Sequence, residues 1–356
     1  MPVIKQHYVP RELLRNFSCD AEKKRINMFY LTNNKEIENV DLYNQACEKY
    51  YYGEDQRLET AYSILEGNFA SALRKLINGH TDLTNEEDAA VRVFMVFQLN
   101  RTPEAVKRTN SFMSETMKEI LRSATTLEKS IKEHIDDFYV TLTQPHDYLF
   151  GISLDIAYTV SDLKMSLLEN PDETFIIGKS PVFVLNPFLY ELKYDGGLMG
   201  IGSKGAVILM PISPRYTVIL YDSLVYNCKK TNGKIIPSNT DIQKINYCQF
   251  LKTTDCVYYF KADVSELKKM NSDSYKYRNT DDAFSKKINV SKDEKRYFIW
   301  TSYKQFPIIQ QLDFIRLRES AYRNKLGPFN SIERPTLAAL RLQNEQMKNK
   351  QEDSNE

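Results

Sequence analysis

From Glu54 onward the apolar residues Leu58, Tyr62, Leu65, Phe69, Leu73 and Leu76 recur at steps of three and four, which lays a single apolar stripe along a helix. A second helix follows. Thr84 can cap it, Glu87 three residues on completes a capping box, and Ala90-Val-Arg-Val-Phe-Met-Val-Phe-Gln-Leu is apolar enough to predict deep burial. Pro103 marks its end or a kink, and a third helical pattern runs from about Glu104 to Phe138. Ahead of these, residues 3 to 31 read as extended chain through Val3-Ile-Lys-Gln-His-Tyr-Val-Pro, one helical turn starting near Arg11, and a strand at Ile26-Asn-Met-Phe-Tyr-Leu. Pro10 fixes its own φ, biases Val9 away from helix and suits the start of the helical turn.

After Pro145 the spacing changes to short β-like runs at residues 152–160, 174–177, 182–185, 206–210 and 216–220, separated by Gly, Pro and Asp. Residues 241–260 read as a further helix and a short strand, and the polar residues 272–294 as a loop or appendage. The expected fold is therefore α+β: a mainly helical N-terminal half, a mainly antiparallel β half and a C-terminal helix. The expected divisions are 1–145, the N-terminal motif segment with the helical region; 146–265, the β-rich region; 266–335, an α+β appendage packed on the body; and 336–356, a C-terminal helix fraying into a disordered tail.

Composition narrows the function classes. At 356 residues, with 42% hydrophobic and 27% charged residues, the chain has the makings of one large or two modest globular domains rather than a disordered or fibrous protein. Lys and Arg number 48 against 47 Asp and Glu, which removes the global basic field of a nucleic-acid coat and leaves only local basic patches. The N-terminus lacks the apolar core of a signal peptide, and no window approaches the roughly 20 apolar residues of a membrane span, so a cytoplasmic protein away from membranes is expected. Cys19, Cys47, Cys228, Cys248 and Cys256 are odd in number and scattered without a CxxC pair, which argues against a disulfide framework or zinc knuckle.

Within this frame a few segments carry chemistry. His7-Tyr8-Val9-Pro10 puts an imidazole and a phenol beside a rigid proline, followed by Arg11 and Arg15. In an extended segment His7 and Tyr8 point to opposite faces. His7 is a candidate general base or ligand, against the plainer reading of a partly buried histidine satisfied by a backbone carbonyl. Tyr50-Tyr51-Tyr52 precede Glu59 and Glu66, seven residues apart and near one helical face, a carboxylate pair that would bind Mg2+; solvated glutamates are the plainer reading. Gln98 and Arg101 end the apolar helix on neighbouring positions of one face. A buried Arg needs an anionic or carbonyl partner, either a phosphate or Glu66, and an internal ion pair is the commoner arrangement. Gly178-Lys179-Ser180 lacks the earlier glycine and the following helix of a phosphate-binding loop, and the glycine-rich residues 196–205 lie between β-like runs, which favours a hairpin loop over a nucleotide site.

In order, His7-Tyr8-Val9-Pro10 with Leu14 and Phe17, Tyr51-Tyr52 with Glu59 and Glu66, Gln98 and Arg101, Phe175 to Val182, and Met210-Pro-Ile-Ser-Pro resemble the domain-of-unknown-function 4238 family of bacterial and phage-borne proteins, over roughly residues 4 to 260. The resemblance implies no established reaction. It does imply Phe-x-Thr-Ser-Asp-x-Pro-Val around Phe175, whereas Gly178, Lys179 and Ser180 stand here where Ser, Asp and the variable residue would be. The acid is replaced by a cation.

Two functions are then expected as rivals. In the first, His7, Arg11, Gln98, Arg101 and Lys179 converge on a cleft between the two halves. The protein would be a nuclease-like phosphodiester hydrolase of the bacterial toxin or phage-defence type, with His7 as acid/base and Arg101 as catalytic partner. Arg11, Arg15, Gln98, Lys179 and Ser180 would bind substrate, and Glu59 and Glu66 would hold Mg2+. Nucleic acid would enter through a local basic cleft. In the second, the protein is a noncatalytic sensor or interaction module with a degenerate site, and its C-terminal helix recruits a protein partner.

Overall fold

A computed structural model describes residues 2–124, 126–193, 200–278, 283–289, 297–303, 311–323, 333–337 and 339. The first elements are β1 (Lys5–His7), α1 (Arg11–Arg15), β2 (Arg25–Tyr30), β3 (Lys35–Asp41) and β4 (Cys47–Lys49), followed by the helices α2 (Arg57–Ile77), α3 (Asn85–Asn100), α4 (Pro103–Ser123), α5 (Lys129–Glu133) and α6 (Pro145–Ile156). Then come β5 (Lys164–Glu169), β6 (Ile177–Gly178), β7 (Phe183–Leu185), α7 (Pro187–Glu191), β8 (Val207–Pro211), β9 (Tyr216–Tyr221) and β10 (Tyr226–Cys228). The chain continues with α8 (Asn239–Lys252), β11 (Cys256–Tyr259), α9 (Val264–Arg278), β12 (Ala283–Asn289), β13 (Tyr297–Tyr303) and β14 (Ile315–Leu317). The fold is α+β, in roughly the expected order.

The two long helical stripes behave as their spacing predicts. Leu58, Tyr62, Phe69, Leu73 and Leu76 are buried on α2, and Phe69 stacks on Phe94 of α3 with centroids 4.0 Å apart. Thr84 accepts from the Glu87 amide at 3.2 Å while Glu87 accepts from the Thr84 amide at 2.9 Å, the reciprocal pair that starts α3. Pro103 opens α4 rather than kinking α3, and α4 ends at Ser123, well short of Phe138.

The run at 152–160 is a correction: it continues α6 and a single 3-10 turn instead of forming a strand. Leu149 and Ser153, one helical turn apart, are its buried face, and Phe150 packs edge-on against Tyr62 and Phe97. The polar stretch at 272–294 is a second correction, since it holds the end of α9 and β12, which pairs with β13 and packs on α4. Most of the helix expected at 336–356 and the start of the glycine-rich loop at 196–205 lie outside the described residues.

The sheet β5-β9-β8-β7 is antiparallel throughout. Leu167, Val218, Leu220, Ile208 and Met210 join one core, and Leu168, Ile219, Leu209, Val207 and Phe183 join another. Burial on both faces explains why β8 and β9 read as unbroken apolar runs rather than alternating ones. A second sheet, β3-β2-β11-β6, brings together segments far apart in sequence: Tyr258 lies opposite Met28 on one side and Ile177 on the other. It draws strands from both sides of residue 145. Among the described residues, no helix is long and apolar enough to cross a membrane.

Candidate functional site

The short strand β1 pairs with β4, His7 opposite Cys47, so its side chains alternate between two compartments. Gln6 points inward and is fully buried; its Oε1 accepts from the Tyr52 amide at 2.6 Å. Pro10 ends the extended segment and starts α1, whose Leu13 and Leu14 anchor it in the core.

Two consecutive carbonyls of this strand are gripped from the end of α3. Arg101 is 2% exposed, and its Nη2 donates to the His7 carbonyl at 2.6 Å and to Glu66 Oε1 at 2.8 Å. Its Nε donates to the Tyr52 hydroxyl at 3.0 Å, and the guanidinium lies 4.3 Å from the Tyr62 ring centroid. Gln98, three residues earlier and fully buried, donates from Nε2 to the Tyr8 carbonyl at 2.8 Å. The i, i+3 spacing of Gln98 and Arg101 thus matches adjacent peptide groups of the strand. Glu59 has its carboxyl raised above the usual range by burial and by the neighbouring Glu66 charge. That pair is together on α2, as its spacing predicts, with Arg101 already seated on Glu66. Among the described residues, no three of His, Cys, Asp and Glu gather as a metal site would need.

The His7 imidazole faces the rim. Its Nε2 lies 3.1 Å from the Tyr43 carbonyl, and burial lowers its pKa to about 4, opposed by that hydrogen bond and reinforced by the charges of Arg11, Arg101 and Lys5. Lys5 and Arg11 both sit over the Tyr43 ring, at 4.8 and 5.4 Å from its centroid, and the ring is 48% exposed. Arg15 does not join them; it pairs with Glu12 along α1.

Tyr8 occupies the opposite compartment, beside Lys179. Lys179 leaves the end of β6 and forms an ion pair with Asp255, which precedes β11 in the same sheet. Burial pushes the Tyr8 phenol upward, and the ammonium of Lys179 pulls against it. Ser180 donates to Glu104 Oε2 at 2.8 Å and meets the Thr102 hydroxyl at 3.0 Å, at the start of α4. Gly178 donates its amide to Gln249 Oε1 at 2.8 Å, so closely that an added Cβ would meet the Gln249 carbonyl oxygen at 3.3 Å. Tyr51 packs between Tyr8 and His146, with ring centroids 5.2 and 4.3 Å away.

The single cleft expected from the sequence is therefore two compartments separated by one strand. His7, Arg101, Glu59 and Glu66 share one side with Arg11 at its rim, Gln98 reaches the Tyr8 carbonyl, and Lys179 and Ser180 lie with Tyr8. Tyr43, Glu104, Asp255 and His146 escaped the sequence reading. Only His146, directly after the helix-starting Pro145, carried a local signal.

No curated protein and no solved structure matches this chain. The family model described as Protein of unknown function (DUF4238) matches residues 5–263, a span containing every side chain of both compartments. With well over half of its length so matched, the chain belongs to the DUF4238 family.

Proposed function

We propose that the protein is a noncatalytic sensor or interaction module, with the His7-Tyr8 strand serving as a braced scaffold and an anionic partner met at the surface patch of Lys5, His7, Arg11 and Tyr43. The closure of Arg101 carries this reading. Its guanidinium is buried on Glu66, the His7 carbonyl and the Tyr52 hydroxyl. Turning Nη2 to a transferring phosphate would mean giving up its bonds to Glu66 and to the His7 carbonyl, which would keep only the Tyr52 hydroxyl at 3.3 Å, an unfavourable exchange for a guanidinium that is itself 2% exposed. Gln98 is committed in the same way to the Tyr8 carbonyl. The patch outside supplies what binding without chemistry needs: two cations against one exposed tyrosine ring, the combination that holds single-stranded nucleic acid.

The rival reading, a phosphodiester hydrolase of the toxin or phage-defence type, is favoured by one observation. With its pKa lowered to about 4, the His7 imidazole is neutral at pH 7 among three cations, and with the Nε2 proton donated to Tyr43 its Nδ1 keeps the lone pair of a general base. One experiment decides between them. Labelled single- and double-stranded RNA and DNA are incubated with the full chain, with and without Mg2+, while oligonucleotide binding is followed by fluorescence anisotropy. The expected result is salt-dependent binding weakened several-fold by Tyr43→Ala or Arg11→Ala, without cleavage. Cleavage that His7→Ala abolishes at an unchanged melting temperature would establish the hydrolase instead, and absence of binding at low salt would remove the anionic partner.

A further inference from the structure

Away from β1, a cavity of about 190 Å3 opens between α8, α9 and the loop joining β5 to β6. Its apolar floor is Ile176, Ile242, Leu267 and Met270, and three carboxylates, Asp172, Asp263 and Glu266, line it together with Asn and Gln side chains. Among the described residues, no Lys, Arg or His lines it. Two cations nearby in sequence are directed elsewhere: Lys261 to Glu173 at 3.3 Å, and Lys244 to the Gln311 carbonyl at 2.5 Å.

Two of the acids have a structural role as well. Asp263 Oδ1 accepts from the Ser265 amide at 2.8 Å, and Glu266 stands in the first turn of α9, where the helix dipole favours negative charge. Asp172 belongs to the loop after β5 and is brought by the tertiary fold to the same cavity, which the first turns of α8 and α9 also line.

Two of the three amides are already engaged: Asn246 accepts from the Ile176 amide at 3.1 Å and donates to the Thr174 carbonyl at 2.8 Å, and Gln243 donates to Glu266 at 3.1 Å. Among the described residues, the cavity therefore pairs an apolar floor with carboxylates and no lining cation. These acids do not form a group close enough to hold a metal ion. The charge they suit is larger than a bare ion and has an apolar stem. The volume is below the roughly 300 Å3 at which drug-sized sites begin, and suits one side chain or one short amine.

We propose that this cavity binds a primary alkylammonium group, its carbon stem on the Ile176, Ile242, Leu267 and Met270 floor and its charge between Asp172 and Glu266. A lysine side chain of a partner peptide and a free aliphatic polyamine present the same chemistry. The site is independent of the function proposed above and stands or falls separately.

The test is calorimetric titration of the full chain at low salt with cadaverine and with N-acetyl-lysine methylamide, against 1-pentanol as stem without charge and ammonium chloride as charge without stem. Saturable binding of at least one amine, and of neither control, is expected. It should weaken at least tenfold in Asp172→Asn and in Glu266→Gln, and vanish in Gln243→Arg, which tethers a competing cation at the rim. All three positions are exposed, and an unchanged melting temperature confirms that each variant folds. Tighter binding of the lysine derivative identifies a peptide as the source, and tighter binding of cadaverine a free amine. The proposal fails if neither amine saturates, if ammonium chloride binds as tightly, or if the two acid-to-amide variants bind like the parent chain.

Discussion

A histidine held neutral by burial has a thermodynamic signature. His7 has a pKa of about 4 when folded against 6.5 when unfolded, so between those values the unfolded chain binds a proton that the folded chain refuses. Stability should fall as pH drops below 6.5 and level off near 4. The full shift corresponds to about 3 kcal/mol, and the part of the ring still in contact with water reduces this to about 1–2 kcal/mol. Urea denaturation at pH 7 and pH 4.5 should show that loss, and His7→Gln, which keeps a donor for the Tyr43 carbonyl but cannot titrate, should remove that part of it. His146 is also lowered by burial and leaves a residue of the same sign. An unchanged pH dependence in His7→Gln would mean that the imidazole is well solvated. Neighbouring spacing does foretell that Gln98 and Arg101 share a face, but their grip on the strand carbonyls spans 90 and 94 residues and is invisible locally.

At the scale of elements, the helices are set by features within a few residues. The Thr84 and Glu87 pair is the clearest, and Glu87 extends it by accepting from Lys75 at 2.7 Å and Ser71 at 2.9 Å on α2. Thr84→Ala removes the cap alone and should cost about 1 kcal/mol in chemical denaturation. Glu87→Ala also unties α3 from α2 and should lower the midpoint further; equal effects would show that the link to α2 adds nothing. The stretch at 152–160 misleads for a related reason. Ile, Leu, Val and Tyr suit strands, but Pro145 at the helix start and the one-turn spacing of Leu149 and Ser153 turn a buried face towards α2 and α3. The same ambiguity hides β5, where Lys164 and Glu169 bracket only four other residues.

For the whole molecule, the decisive joint is β11. It pairs β2 from the first part of the chain with β6 from the second, and Phe250 of the preceding helix packs edge-on against Phe29. A fragment of residues 1–145 would keep β2 on β3 but leave its other edge without β11, and Phe29 without part of its cover. It should be unfolded or aggregated by circular dichroism and gel filtration, and a monomeric, cooperatively melting fragment would show instead that the first 145 residues form a separate domain. The sequence by itself determined the α+β character, the two stripe helices, the α3 cap and the family, because periodicity, capping and ordered motifs act over a handful of residues. The tertiary structure alone decided that Arg101 closes on Glu66 and the His7 carbonyl, that Lys179 meets Asp255 on the Tyr8 side, and that Asp172 joins Asp263 and Glu266 at the start of α9. Each of those contacts joins residues at least 35 apart in sequence, and only the packing of buried surfaces and the register of β11 bring them within hydrogen-bond reach or around one cavity.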